Sequence, residues 1–348
     1  MLSAPALGLG ATLASGLLQG TMLTPMKYLC KWRWENTWLV FATFAYFVLP
    51  WVFGLVTVPH LFKVYGSTSA SALLRTGLFG VGWGCAAVLF GLGIELIGLA
   101  LGYAIILGLG TSVGSLVPFV TLHSERLWTP AGMATIAGVV ILLLSVILLS
   151  IAGQKREMAL RGLAGETSTD NRQSRVSKRT FVKGFVICIL CGVLNPLINF
   201  ALAYGAEIQS QATRYGAAPT SAANAIWVVV GTAGFVPNFV YCAYLLNTKS
   251  TWRVFALASP NYWVLAPAMG FLWLSGTVLY GVGANSLGPL GPVIGWPLLM
   301  CSMVLTATFW GFFAGEWRGV GGSPLRIMAV GLSALVVAIF VLGLSSRL

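Results

Sequence analysis

The chain has 348 residues, of which 57% are hydrophobic and only 8% charged, with a mean hydropathy of +0.88. So few charges cannot cover a soluble globule of this length, and apolar runs in this proportion belong to integral membrane proteins. The net charge of +12 would suit a nucleic-acid binder, but the cations lie between apolar runs rather than along one basic face, which argues against nucleic acid as a partner.

A helix needs about 20 mostly apolar residues to cross the hydrocarbon core. Ten segments qualify: residues 7–25, 37–57, 73–94, 96–120, 131–153, 181–205, 222–246, 262–283, 288–313 and 324–346. In lipid every backbone polar group must be paired internally, so these segments are expected to be helices. The expected fold is therefore an all-α integral membrane protein with ten transmembrane helices. The first 24 residues lack a basic start and a small-residue cleavage site, and read as a retained first span. Prolines at 118, 196, 237, 267, 289, 292 and 297 fall in or near spans. Each removes a backbone donor, so kinked or broken helices are expected there.

Between the fifth and sixth segments lies the least hydrophobic stretch. Lys155, Arg156, Arg161, Arg172, Arg175, Lys178, Arg179 and Lys183 all fall within it. It divides the chain into residues 1–153, a basic linker at 154–180, and residues 181–348. Fifteen of the 20 Lys and Arg residues lie on the linker's side of the ten spans. That bias puts the linker in the cytoplasm and both termini outside. The linker is rich in Ser, Thr, Asn and Gly and reads as a tether that contacts anionic membrane lipid.

A shift of 190 residues lays Gly80, Trp83, Val88, Leu89, Gly91, Gly93 and Gly98 on Gly270, Trp273, Val278, Leu279, Gly281, Gly283 and Gly288, with Phe90 on Tyr280. Glu125 and Glu316 also correspond, as do the Thr129-Pro130 and Ser323-Pro324 starts of the next span. Five spans per half is an odd number, so the second half must insert upside down. Two inverted five-helix repeats with a site at their interface point to a secondary carrier.

The stretch Pro25-Met26-Lys27, Lys31-Trp32-Arg33-Trp34-Glu35, Trp38 and Leu49-Pro50-Trp51 resembles the start of the L-rhamnose–proton symporter family, within the drug/metabolite transporter superfamily. Phe79-Gly80, Trp83-Gly84, Cys191-Gly192 and Glu316-Trp317 extend the resemblance along the chain. It implies a ten-helix permease of the cytoplasmic membrane with a sugar substrate. The residues leave an exporter or uncoupled facilitator of another small metabolite as the alternative.

Ionisable residues inside a membrane usually mark ion paths. Here Glu95 and Glu207 lie at or beyond span ends, and Lys31 and Glu35 belong to a cluster at the membrane surface, so these four are the coupling or gating candidates. Neutral amides cannot carry a proton, and proton coupling is expected to be weak or absent. A co-transported proton or sodium ion is the partner that any coupling would need. A neutral polyol needs groups that bond without ionising, and flat apolar walls. Gln19, Asn195, Asn199, Asn224 and Asn238 supply the first. Trp83, Trp273, Tyr280 and Trp296 supply the second. Asn195 and Asn199 are four apart and so share a helical face. Each Asn could equally serve only to bond another helix. Trp32, Trp34, Trp38 and Trp51 read as interfacial anchors.

No enzyme-like cluster is visible, no metal-ligand spacing surrounds His60 or His123, and no cofactor is expected. The six cysteines read as packing residues. The assembly is expected to be a monomer or homodimer.

Overall fold

A computed structural model describes residues 4–163, 178–257 and 259–348. Arg172, Arg175 and most of the proposed tether lie outside the described residues. Ten helical segments are long and apolar enough to cross a membrane. In order, spans 1 to 10 are Ala4–Tyr28, Trp34–Thr57, Ala70–Ile97, Leu101–Leu122, Pro130–Leu160, Thr180–Arg214, Asn224–Thr248, Tyr262–Ser286, Gly291–Phe313 and Ser323–Ser345. Each overlaps one of the ten segments expected from hydropathy. Large side chains such as Leu7, Val56, Val264 and Phe340 are exposed along the spans, as lipid contact requires.

The two halves interleave. Span 1 packs on spans 8 and 9, while span 6 packs on spans 3 and 4. Span 7 packs on span 3, while span 2 packs on span 8. Spans 5 and 10 pair with each other, as do 4 with 9 and 2 with 7. Advancing every number by five reproduces the same pairings, which is consistent with an inverted repeat. The close approaches repeat too. Gly93 lies against Cys188, and its counterpart Gly283 against Thr12. Gly80 lies against Val230, and its counterpart Gly270 against Phe44 and Ala45. Without side chains at these glycines, spans 3 and 8 come within van der Waals reach of neighbouring backbones, which is how membrane helices gain packing energy.

Proline acts less uniformly than its chemistry suggests. Pro196 does end the helix Lys178–Leu194, and a new helix, Leu197–Ala203, follows. Pro118, Pro237, Pro267 and Pro297 lie inside continuous helices. Pro292 sits in the first turn of the span 9 helix, where no donor is missed. The segment around Trp296 is therefore an ordinary helix start and not a break.

The largest backbone irregularity is in span 2. Residues Thr43–Val48 form a π-helical segment between helices Trp34–Ala42 and Leu49–Thr57. Leu49 donates its N–H to Phe44, five residues back. Pro50 has no N–H to offer the carbonyl of Tyr46, its partner in a regular helix, so the register slips by one residue.

Three tryptophans expected at the interface prove to be buried or bonded between helices. Trp32 is 5% exposed and edge-packed on Phe255, Tyr262 and Trp263. Trp38 donates to Asn238, and Trp51 to Thr232.

Candidate functional site

The two tryptophans matched by the 190-residue shift meet. Trp83 of span 3 and Trp273 of span 8 stack with ring centroids 5.3 Å apart and planes 19° apart. Tyr46, on the π segment of span 2, stands edge-on to both, at 4.7 Å from Trp83 and 4.9 Å from Trp273. Gly234 of span 7 lies against the Trp83 ring. Two helices from each half thus build one aromatic centre. Trp83 and Trp273 are each 7% exposed and Tyr46 is 3% exposed. The Tyr46 hydroxyl and both indole N–H groups make no hydrogen bond among the described residues, yet none is fully shielded. Buried polar groups normally find partners, so these three tips are available to a ligand.

Around this centre the amides brace helices to one another. Asn199 is fully buried and donates to the carbonyls of Gly114 at 2.8 Å and Pro292 at 3.1 Å, while accepting from the Tyr280 hydroxyl. It joins spans 4, 6, 8 and 9. Asn238 donates to the carbonyls of Gly84 at 3.1 Å and Gly234 at 2.9 Å, and accepts from Trp38 at 2.9 Å. Asn224 donates to Thr57 at 2.8 Å. Gln19 reaches Thr277 at 3.4 Å. Trp296 donates to the Gly110 carbonyl at 3.0 Å and packs beside Tyr280. Asn195 is half-buried, faces Gly110, and makes no side-chain bond among the described residues. Of the nine residues expected to bind substrate, Trp83 and Trp273 lie in the aromatic centre. Asn199, Tyr280 and Trp296 form a second cluster; Asn238 bonds backbone beside the first, at Gly84 and Gly234, Asn195 lies beside the second, at Gly110, and Gln19 and Asn224 bond to no residue of either.

The charged candidates lie at the ends. On the linker's end of the bundle Glu35 is 1% exposed, deeper than a surface cluster would place it. It is in the first turn of the helix Trp34–Ala42, where a negative charge suits the helix dipole. Thr251 donates to it at 3.0 Å, and Lys249 lies 3.5 Å away. Lys31 itself is exposed, and its backbone N–H donates to Tyr262. Nearby, Glu316 accepts from Lys27 at 2.7 Å and Arg156 at 3.1 Å. The hydrogen bond from Lys27, reinforced by the charges of Lys27 and Arg156, holds the Glu316 carboxyl below the usual carboxylate range. Arg156 also lies over the Trp317 ring. Glu95 is exposed in the last turn of span 3. At the opposite end Glu207 accepts from Ser69 N–H at 2.6 Å and Ser69 hydroxyl at 2.9 Å, tying the surface helix Ala206–Arg214 to the start of span 3. Among the described residues no group of His, Cys, Asp and Glu could hold a metal ion.

Tyr46 is the residue that sequence reasoning missed. Its one sequence signal is Pro50, four residues on, which frees the Tyr46 carbonyl and displaces the helix there.

Comparison with known proteins bears on the whole chain. The family model for L-rhamnose-proton symport protein matches residues 2–347. An L-rhamnose-proton symporter of Escherichia coli strain 55989 is 27% identical over 328 residues, covering 92% of each chain. One from Shigella boydii serotype 18 is equally similar over the same share of each chain. A solved crystal structure aligns over 98% of this chain and 97% of its own, with a TM-score of 0.59 at 16% identity, and so shares the fold. The chain is a multi-pass membrane protein that belongs to the L-rhamnose-proton symport protein family.

Proposed function

We propose that this protein is a secondary carrier for a small neutral sugar of the L-rhamnose type. It works by alternating access between two oppositely inserted halves, residues 1–153 and 181–348, about the basic linker. The observation that carries this reading is the Trp83–Trp273 stack, in which one ring from each half meets at their interface. A sugar ring offers C–H faces to aromatic rings and hydroxyls to neutral donors and acceptors. Opposed motions of the two halves would separate the rings and open the centre to one side at a time. Asn195, half-buried without a side-chain partner, is the amide with no existing bond to give up. Asn199 and Asn238 would have to exchange existing bonds to do so. The protein would lie in the cytoplasmic membrane, with the linker facing the cytoplasm and both termini outside.

The names of the relatives supply a proton as coupling ion. A second reading, an uncoupled facilitator, is favoured by the carboxylates themselves. Glu35, Glu95, Glu207 and Glu316 all sit at bundle ends, where a group exchanges protons with one compartment and not two.

Both readings are tested in proteoliposomes of purified protein. Labelled L-rhamnose should exchange against internal unlabelled L-rhamnose, and bind with a rise in melting temperature. Failure of both, with amino acids or nucleosides raising the melting temperature instead, would overturn the sugar reading. Sugar-driven proton movement would favour symport, and Glu35→Gln, Glu95→Gln and Glu207→Gln would then locate the group. Exchange without proton movement would favour the facilitator.

A further inference from the structure

We infer that Tyr46 is the hydroxyl that reads the substrate, and that the Tyr46–Trp83–Trp273 trio is a sugar subsite closed on itself, opened when the two indoles part. The inference rests on the carrier reading above and adds to it a residue, a geometry and a selectivity.

Four independent observations converge on Tyr46. First, its ring touches both tryptophans, so any molecule that separates them must also meet Tyr46. Second, its hydroxyl is unpaired among the described residues but not sealed off. A buried phenol normally bonds to something. Tyr65 bonds the carbonyl of Ala225, Tyr280 bonds Asn199, and Tyr262 accepts from Lys31. Third, Tyr46 stands on the π segment. Such segments cost helix regularity and recur at functional positions. Here Pro50 enforces the slip, and Gly231 of span 7 and Gly270 of span 8 press on the same stretch, Gly231 directly against the Tyr46 carbonyl. A side chain at either glycine would push the segment away from its seat. Fourth, the trio is asymmetric. Trp83 and Trp273 correspond through the repeat, but Tyr46 belongs to the first half alone. A symmetric aromatic pair could hold a ring in either of two senses, and a single hydroxyl to one side selects one of them.

The chemistry follows from these groups. Two indole faces suit a ring with an apolar C–H patch. One phenol and two indole N–H groups supply three hydrogen-bonding tips, and none carries charge. The subsite therefore fits a neutral pyranose with a deoxygenated or C–H-rich face better than a sugar acid or a sugar phosphate. In the closed stack the indoles satisfy each other's apolar surface. Sugar entry replaces indole–indole contact with indole–sugar contact, so opening the stack is matched by binding.

Tyr46→Phe removes only the hydroxyl and keeps the ring packing. It should weaken L-rhamnose binding by about tenfold, the effect of one lost hydrogen bond in a site shielded from water, with the melting temperature of the free protein unchanged. A panel of singly deoxygenated L-rhamnose analogues sharpens the test. One analogue, lacking the hydroxyl that Tyr46 reads, should bind wild type and Tyr46→Phe equally, and the rest should all be weakened by the substitution. A purely structural role for Tyr46 would weaken every analogue alike. In parallel, sugar should change the tryptophan emission of wild type, and Trp83→Phe and Trp273→Phe should each abolish that change. If wild type binds L-rhamnose but Tyr46→Phe binds it with unaltered affinity, or if no analogue is spared, the inference is wrong while the carrier reading stands. If wild type binds no monosaccharide, the carrier reading itself has failed.

Discussion

Asn199 shows how a neutral side chain can hold a membrane protein together. It spends both amide protons on carbonyls of spans 4 and 9 and its oxygen on the Tyr280 hydroxyl of span 8. In hydrocarbon none of these partners can turn to water instead. Asn199→Leu, of similar size, should therefore lower stability by about 1–2 kcal/mol. Thermal unfolding in detergent would read this as a lower melting temperature, and an unchanged value would mean that the bonds are not made. Asn195→Leu is the control, because its side chain makes no such bond, and it should leave stability close to wild type. The spacing of these two residues was legible in the sequence. They do face one helix, at Gly110 and Gly114 of span 4, even though Pro196 ends the helix between them. What spacing could not give is the partner. A carbonyl freed or offered by another span leaves no mark on the sequence, so the brace at Asn199 and the open amide at Asn195 look alike there. Tyr46 was hidden for the same reason: an apolar run containing one Tyr is ordinary, and only the tertiary stack marks it.

At the scale of elements, hydropathy located the ten spans well because lipid leaves the backbone one option. It could not tell which prolines break a helix, as Pro196 does, because neighbouring helices and first-turn positions decide whether a missing N–H matters. It also put Glu35 at the surface, since the covering residues Thr251 and Lys249 come from a loop more than 200 positions away. The Glu316 cluster makes an element-scale prediction. It ties the end of span 1, through Lys27, and the extended end of span 5, through Arg156, to the turn after span 9. Because folding lowers the Glu316 pKa, the folded state favours its ionised form. That contribution is complete above the ordinary carboxylate range and fades as pH falls through that range toward the depressed folded value. Glu316→Gln removes it at every pH. The melting temperature of wild type should therefore exceed that of Glu316→Gln at neutral pH, and the gap should close in acid. High salt should narrow the gap at neutral pH as well, since the carboxylate is partly exposed. A gap independent of pH would show that the variant acts through packing and not charge.

For the whole molecule, the pairing of helices shifted by five and the matched glycine contacts agree with the 190-residue offset. Both are consistent with an inverted repeat. Neither fixes which end of the bundle faces the cytoplasm. The charge bias predicts it, and that prediction can be tested with a single thiol. Cys30 is exposed in the loop between spans 1 and 2, Cys85 is half-buried within span 3, and Cys188, Cys191, Cys242 and Cys301 are buried. That loop shares the linker's end of the bundle. A membrane-impermeant maleimide should therefore fail to label the protein in intact cells and should label it once the membrane is opened. Cys30→Ser should abolish the signal, identifying the thiol. Labelling of Cys30 in intact cells would place the linker outside, and with it Glu35 and the Glu316 cluster. The cations would then sit against the positive-inside bias, and the proposed placement of both termini would be reversed.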